Sequence, residues 1–136
     1  MSQVTSPKVG AARGAARPSE PTVGPWLAFG LDAQIEQLRE EPYWQSGRNS
    51  KTIVHYPDFR MVVTAMQANT TIHEHRTAGR LAVQILHGHV RMHADGKEFD
   101  LPAGQILVVD QAVPYDLNAI EDSSVLLTIA WPEGDR

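Results

Sequence analysis

The chain has 136 residues, 42% of them hydrophobic and 21% charged, and no cysteine; that is one domain's worth of sequence, with apolar material for one core and too little for two lobes. The absence of thiols excludes a disulfide scaffold, a thiolate zinc site, an iron–sulfur cluster and a cysteine nucleophile. Lysine and arginine number 12 against 16 acidic residues, for a net charge of −4, so no nucleic-acid partner is expected; no apolar run reaches the roughly 18 residues of a membrane span, and the reading is a soluble, cytoplasmic protein with no membrane partner.

Residues 1–25 are rich in proline, glycine, alanine and serine and carry no aromatic side chain. Such a segment buries too little apolar surface to offset the entropy of ordering it, which predicts a disordered tail ahead of a single domain over 26–136. The first ordered element is a short helix. Asp32 is placed as its N-cap, Leu31, Ile35 and Leu38 recur at helical spacing, and Pro42 ends it.

From Lys51 the period becomes strand-like. Lys51–Tyr56, Arg60–Ala68, Thr71–His75, Arg80–Leu86, His89–His93, Lys97–Leu101, Gln105–Val109, Tyr115–Ala119 and Ser124–Trp131 are short, rich in β-branched residues and separated by turn chemistry. Asp95-Gly96 signals a two-residue hairpin, and Pro102-Ala103-Gly104, Tyr56-Pro57-Asp58 and Ala78-Gly79 mark further breaks. About nine strands at regular spacing predict an all-β antiparallel sandwich or barrel.

The stretch Thr71-Ile72-His73-Glu74-His75-Arg76 is the most chemically loaded. In a regular strand residues i and i+2 share a face, so His73 and His75 are expected side by side, as two imidazoles that suit a transition metal. His87, His89 and His93 share one parity with Arg91 and read as the polar face of a strand, with metal binding or a protonation switch as the other options. His55, among Ile53, Val54 and Tyr56, reads as a structural histidine. Asp110 reads as a turn-stabilising side chain.

Asn69 to Gly88, followed by Pro102-Ala103-Gly104-Gln105-Ile106-Leu107-Val108-Val109 and Val113-Pro114-Tyr115, resembles a small single-domain cupin over residues 50–131. That resemblance implies a jelly-roll β-barrel with a short N-terminal helix, in agreement with the strand count. It also implies a metal held by two histidines and a glutamate of the first motif and a histidine of the second. Here the motifs are degenerate. Counting back from Gly88, the glutamate position falls on Leu81 and the histidine pair on His75 and Thr77; in the other register the pair is His73 and His75. The final histidine position falls on Tyr115, whose hydroxyl reads better as a pocket group than as a ligand.

The expected pocket is therefore lined by Thr77, Leu81, Val83 and Tyr115, with His73 and His75 as the metal ligands if there is a metal. Three readings stay open: a metal-dependent enzyme such as an oxygenase, isomerase or lyase using iron, manganese, nickel or zinc; a metal-free module binding or sensing a small molecule; and a barrel filled by its own side chains. Ala82 and Leu86 lie on the strand face opposite Leu81, Val83 and Ile85 and need a cover. The resemblance implies a homodimer as that cover; Trp26, Trp44 and the helix are covers from the same chain.

Overall fold

The structure, a computed structural model, describes residues 24–75 and 78–132, with only the backbone of Glu74 and His75. The predicted tail, except for its last two residues, and Thr77 lie outside the described residues.

Helix α1 spans Leu31–Glu40, with Ile35 and Leu38 buried as its spacing demands. Its N-cap is the extended Gly30 rather than Asp32. Leu31 already has helical geometry, so Gln34 N donates to Gly30 O at 3.2 Å, and Asp32 sits in the first turn, where its charge complements the exposed N–H groups. The helix stops because Glu41, held extended before Pro42, cannot continue it. Pro42–Ser46 then form a 3-10 turn that the sequence reading did not anticipate.

Among the described residues the rest of the chain forms strands β1 (Arg48–Tyr56), β2 (Phe59–Met66), β3 (Thr71–His75), β4 (Arg80–His87), β5 (His89–Ala94), β6 (Lys97–Pro102), β7 (Ile106–Val109), β8 (Tyr115–Ala119) and β9 (Ser123–Ala130). A larger sheet runs β1-β2-β9-β4-β7 and a smaller one β3-β8-β5-β6. All pairings are antiparallel, and the crossovers between sheets give the predicted all-β jelly roll.

Two apolar layers hold this arrangement. Between the sheets lie Met66, Ile72, Leu81, Val83, Ile85, Val90, Met92, Leu117 and Val125. On the outer face of the larger sheet, Ile35 and Leu38 of α1 pack with Ile53, Val63, Ala65 and Leu126, joined by Leu27, Phe29, Trp44 and Leu86. The cover for Leu86 thus comes from α1 and its flanking segments. Trp26 takes no part in it, being 73% exposed, because the apolar contacts of the entering chain begin at Leu27.

Turn chemistry behaves as read. Asp95 and Gly96 both have positive φ, 54° and 73°, as a two-residue hairpin with right-handed twist requires. Gly88, at the β4–β5 turn with φ 85°, is more constrained, because a Cβ there would collide with Ser123 Oγ and Asp122 O. A Cβ on Gly96 would meet open space. Urea unfolding is therefore expected to show Gly88→Ala losing about 3 kcal/mol or more, strain and clash combined, and Gly96→Ala only about 1 kcal/mol from its left-handed backbone. Equal losses at the two sites would contradict this account.

Candidate functional site

Residues directly opposite one another on antiparallel strands share a face, so the register lists what faces the barrel interior. On the larger sheet one inner row reads Val109 (β7), Leu81 (β4), Ile129 (β9), Arg60 (β2) and His55 (β1). The next reads Leu107, Val83, Leu127, Val62 and Thr52. The third contains Ile85, Val125, Thr64 and Ser50, and its two hydroxyls hydrogen-bond each other at 2.7 Å while buried. On the smaller sheet the row at the Leu81 end joins Ala94, Tyr115 and His75 in backbone register. The first rows of the two sheets thus meet at one end of the barrel.

Of the expected pocket residues, Leu81 and Val83 are fully buried in the core that also takes in Tyr115. Tyr115 in addition borders a cleft of about 410 Å³ formed with His93, Ala94, Asp95, Gly96, Pro114 and Asp116. Burial raises the Tyr115 phenol above its ordinary pKa, because the phenolate would lose its hydration.

The two motif histidines are not related by simple alternation. Ile72 pairs with Leu117 and His75 with Tyr115, so three residue steps on β3 match two on β8. This bulge lies across His73 and Glu74. Ile72 is buried and His73 exposed, while the backbone of His75 returns to register with the buried Tyr115. In the backbone the extra residue shifts the parity between positions 73 and 75; the side chain of His75 lies outside the described residues.

This bears on a metal of the kind the cupin resemblance implies. Leu81 offers no donor atom, Tyr115 stays a neutral phenol up to alkaline pH, and His73 is exposed on the far side of the bulge from His75 in register. Among the described residues no group of three or more histidine, aspartate or glutamate side chains could hold an ion. The side chains of Glu74 and His75 lie outside the described residues, and a catalytic metal centre typically takes at least three protein ligands.

His87, His89 and His93 are on the polar exterior. His89 Nε2 lies 2.8 Å from Asp100 Oδ1; His93 lies 3.0 Å from Asp116 Oδ1 through Nδ1 and 3.4 Å from Glu98 through Nε2; Arg91 Nε sits 3.1 Å from Glu98. His87 Nδ1 is 2.7 Å from Ser124 Oγ. The polar-face reading holds for His89, Arg91 and His93 on β5, whereas His87 ends β4 in the other sheet. At the barrel end, Asp110 accepts from Gln111 N at 2.7 Å and from Arg80 Nε at 3.0 Å, which lowers its pKa, the backbone bond first. Gln111 Nε2 donates to Ala78 O at 3.0 Å, tying the β7–β8 loop to the start of β4.

The sequence reading passed over Arg60. The register sets it on the inner face beside Ile129 and opposite His55, with its guanidinium 4.8 Å from the Trp131 ring centroid. Its parity gave no sign of this, since Met61, Val63 and Ala65 on the other face of β2 are apolar as well, Val63 and Ala65 buried in the α1 layer and Met61 packed against it.

No family model matches the sequence, and no curated protein matches it. Solved structures do. A conserved Streptococcus pyogenes protein of unknown function superposes with a TM-score of 0.66 at 24% identity, covering 82% of this chain and 93% of that one. A cupin superfamily protein from Desulfitobacterium hafniense gives 0.61 at 14% identity over 62% of this chain and 78% of that one. Salicylate 1,2-dioxygenase from Pseudoaminobacter salicylatoxidans gives 0.68 at 17% identity over 75% of this chain and 34% of that one, so this chain matches only about a third of the dioxygenase. The fold is that of the cupins.

Of the three tyrosines, Tyr115 is expected to ionise last in an alkaline absorbance titration, and Tyr115→Phe should remove that late component. Because the folded-state pKa is raised, Tyr115 favours folding below the ordinary phenol pKa of about 10, and this contribution is lost as pH rises above it. Three phenols titrating together in the folded protein would refute the burial argument.

Proposed function

We propose that this cupin-fold chain is a small-molecule binding domain whose ligand enters at the barrel end marked by Tyr115, and that it binds without a resident metal. The observation that carries this reading is the residue set where the first inner rows meet: Leu81 and Tyr115 stand at two positions the metal-binding motif reserves for ligands, and the β3 bulge interrupts the histidine pair. Apolar walls with a few polar anchors are what a small organic ligand needs. The ligand is the partner in this reading, in the cytoplasm and without nucleic acid or membrane.

A second reading is supported by the likeness to salicylate 1,2-dioxygenase and by the register position of His75 opposite Tyr115. In it the protein is a metal-dependent enzyme, an oxygenase, isomerase or lyase, with iron, manganese, nickel or zinc on His73 and His75. Elemental mass spectrometry of untagged protein, before and after incubation with these four metals, separates the two. The metal-free reading expects substoichiometric metal, the same in wild type and in a His73→Ala/His75→Ala variant. A near-stoichiometric metal that disappears in the variant would establish the enzyme reading instead.

A homodimer completes the proposal. On the outer face of the larger sheet α1 reaches Leu86 but leaves the edge strand β7 uncovered, with Ile106 and Val108 54% and 63% exposed. Ala82, opposite Val108, extends this patch. An edge strand with unpaired backbone groups and an apolar face is suited to a symmetric contact with a second copy. Light scattering is expected to give the dimer mass for wild type and the monomer mass for Val108→Lys at the same concentration. A monomeric wild type would remove this part of the proposal.

A further inference from the structure

Resting on the binding-domain reading above, we infer that the ligand is a small apolar monocarboxylate and that Arg60 is its anchor. Four observations converge on this residue. The register puts Arg60 on the inner face, in the row of Leu81 and Ile129. Around it on that face stand the apolar Val62, Leu127 and Ile129, with His55 directly opposite on β1. The Trp131 ring lies 4.8 Å from the guanidinium carbon, a distance at which the indole face holds the cation in place. And the Nε of Arg60 is buried with no hydrogen-bond partner among the described residues.

The comparison with the other arginines sharpens the last point. Arg48 donates to Thr71 O at 3.1 Å, Arg80 is paired with Asp110, and Arg91 lies against Glu98 and Asp100; Arg39, over the Trp44 ring at 5.4 Å, has no oxygen partner among the described residues either, but it is exposed to water. Arg60 has no oxygen partner among the described residues, although acidic residues outnumber basic ones in the chain as a whole. Arg60 is half-buried, and the group shut off from water is its Nε; a buried N–H left unmatched is costly, and a bound anion would cancel that cost.

The geometry also selects the anion. The donors of a guanidinium form a fork that matches the two oxygens of a carboxylate. A single arginine balances one negative charge, so a monoanion fits better than a phosphate dianion. With the carboxylate on Arg60, the apolar body of the ligand would lie along Ile129, Val62 and Leu127.

The experiment is a nuclear magnetic resonance titration of the full, isotope-labelled chain with benzoate and with its neutral isostere benzamide. Benzoate is expected to bind at least about tenfold more tightly than benzamide, as a charge-assisted pair should, and to shift the Arg60 Nε–H and Trp131 indole resonances. Arg60→Gln should abolish the benzoate preference and leave benzamide binding unchanged; Arg60→Lys, which keeps the charge and loses the fork, should fall between. If both probes bind the barrel equally well in wild type, or the preference survives in Arg60→Gln, the assignment of Arg60 is overturned while the binding-domain reading stands. If neither probe perturbs the residues at the Tyr115 end, both are overturned. Should Arg60→Gln fail to fold, the wild-type comparison of the two probes still decides.

Discussion

The pairing of β9 with β2 on one side and β4 on the other is the constraint on which the rest of the structure depends. It sets Ile129 against Arg60 and Leu81, Leu127 against Val62 and Val83, and Val125 against Thr64 and Ile85. Since alternation has a period of two, a slip of one residue in β9 would turn Val125, Leu127 and Ile129 out of the intersheet core and drive Leu126 into it. Val125 and Leu126 are buried on opposite faces of β9, one in the layer between the sheets and the other in the layer under α1, so neither face tolerates the exchange there.

That two-sided burial divides the electrostatics of the molecule. The outer face of the smaller sheet carries His89, Arg91 and His93 interleaved with Glu98, Asp100 and Asp116, all in the range of exposed or part-exposed pairs. Pairs of this kind contribute little to stability and chiefly keep the face solvated. The inner face is a different medium. There the phenol of Tyr115 is shifted by desolvation alone, and the guanidinium of Arg60 rests against an indole ring. A charge is informative about ligand chemistry where water is scarce, which is why Arg60 says more than the larger basic and acidic cluster outside.

How much of this was legible beforehand depended on whether a feature obeys a local period. The strands, the Asp95-Gly96 hairpin and the end of α1 before Pro42 follow from β-branched runs, φ preferences and the missing proline N–H, all short-range. The polar exterior of His89, Arg91 and His93 followed from strand parity for the same reason. The register shift across His73 and Glu74 was not legible because a bulge is a property of two strands: nothing in Ile72-His73-Glu74-His75 announces that β8 supplies one residue fewer. Arg60 escaped because β2 is apolar on both faces, and parity distinguishes faces only when one of them is wet.

From the sequence by itself came the all-β class, the strand order along the chain, the degeneracy of the metal-binding motifs at Leu81 and Tyr115, and the need for a cover over Ala82 and Leu86. These are determined locally, by side-chain volume, turn conformation and the chemistry each residue can offer. The tertiary structure alone decided which face of each strand is inner, that α1 covers Leu86 but not Val108, that His73 and His75 are separated by a bulge, and that Arg60 and Tyr115 lie at the same end of the barrel. Those outcomes depend on pairings between residues far apart in the chain, such as Arg60 with Ile129 and His75 with Tyr115, and a pairing of that range is set by burial of whole sheet faces, which no local pattern encodes.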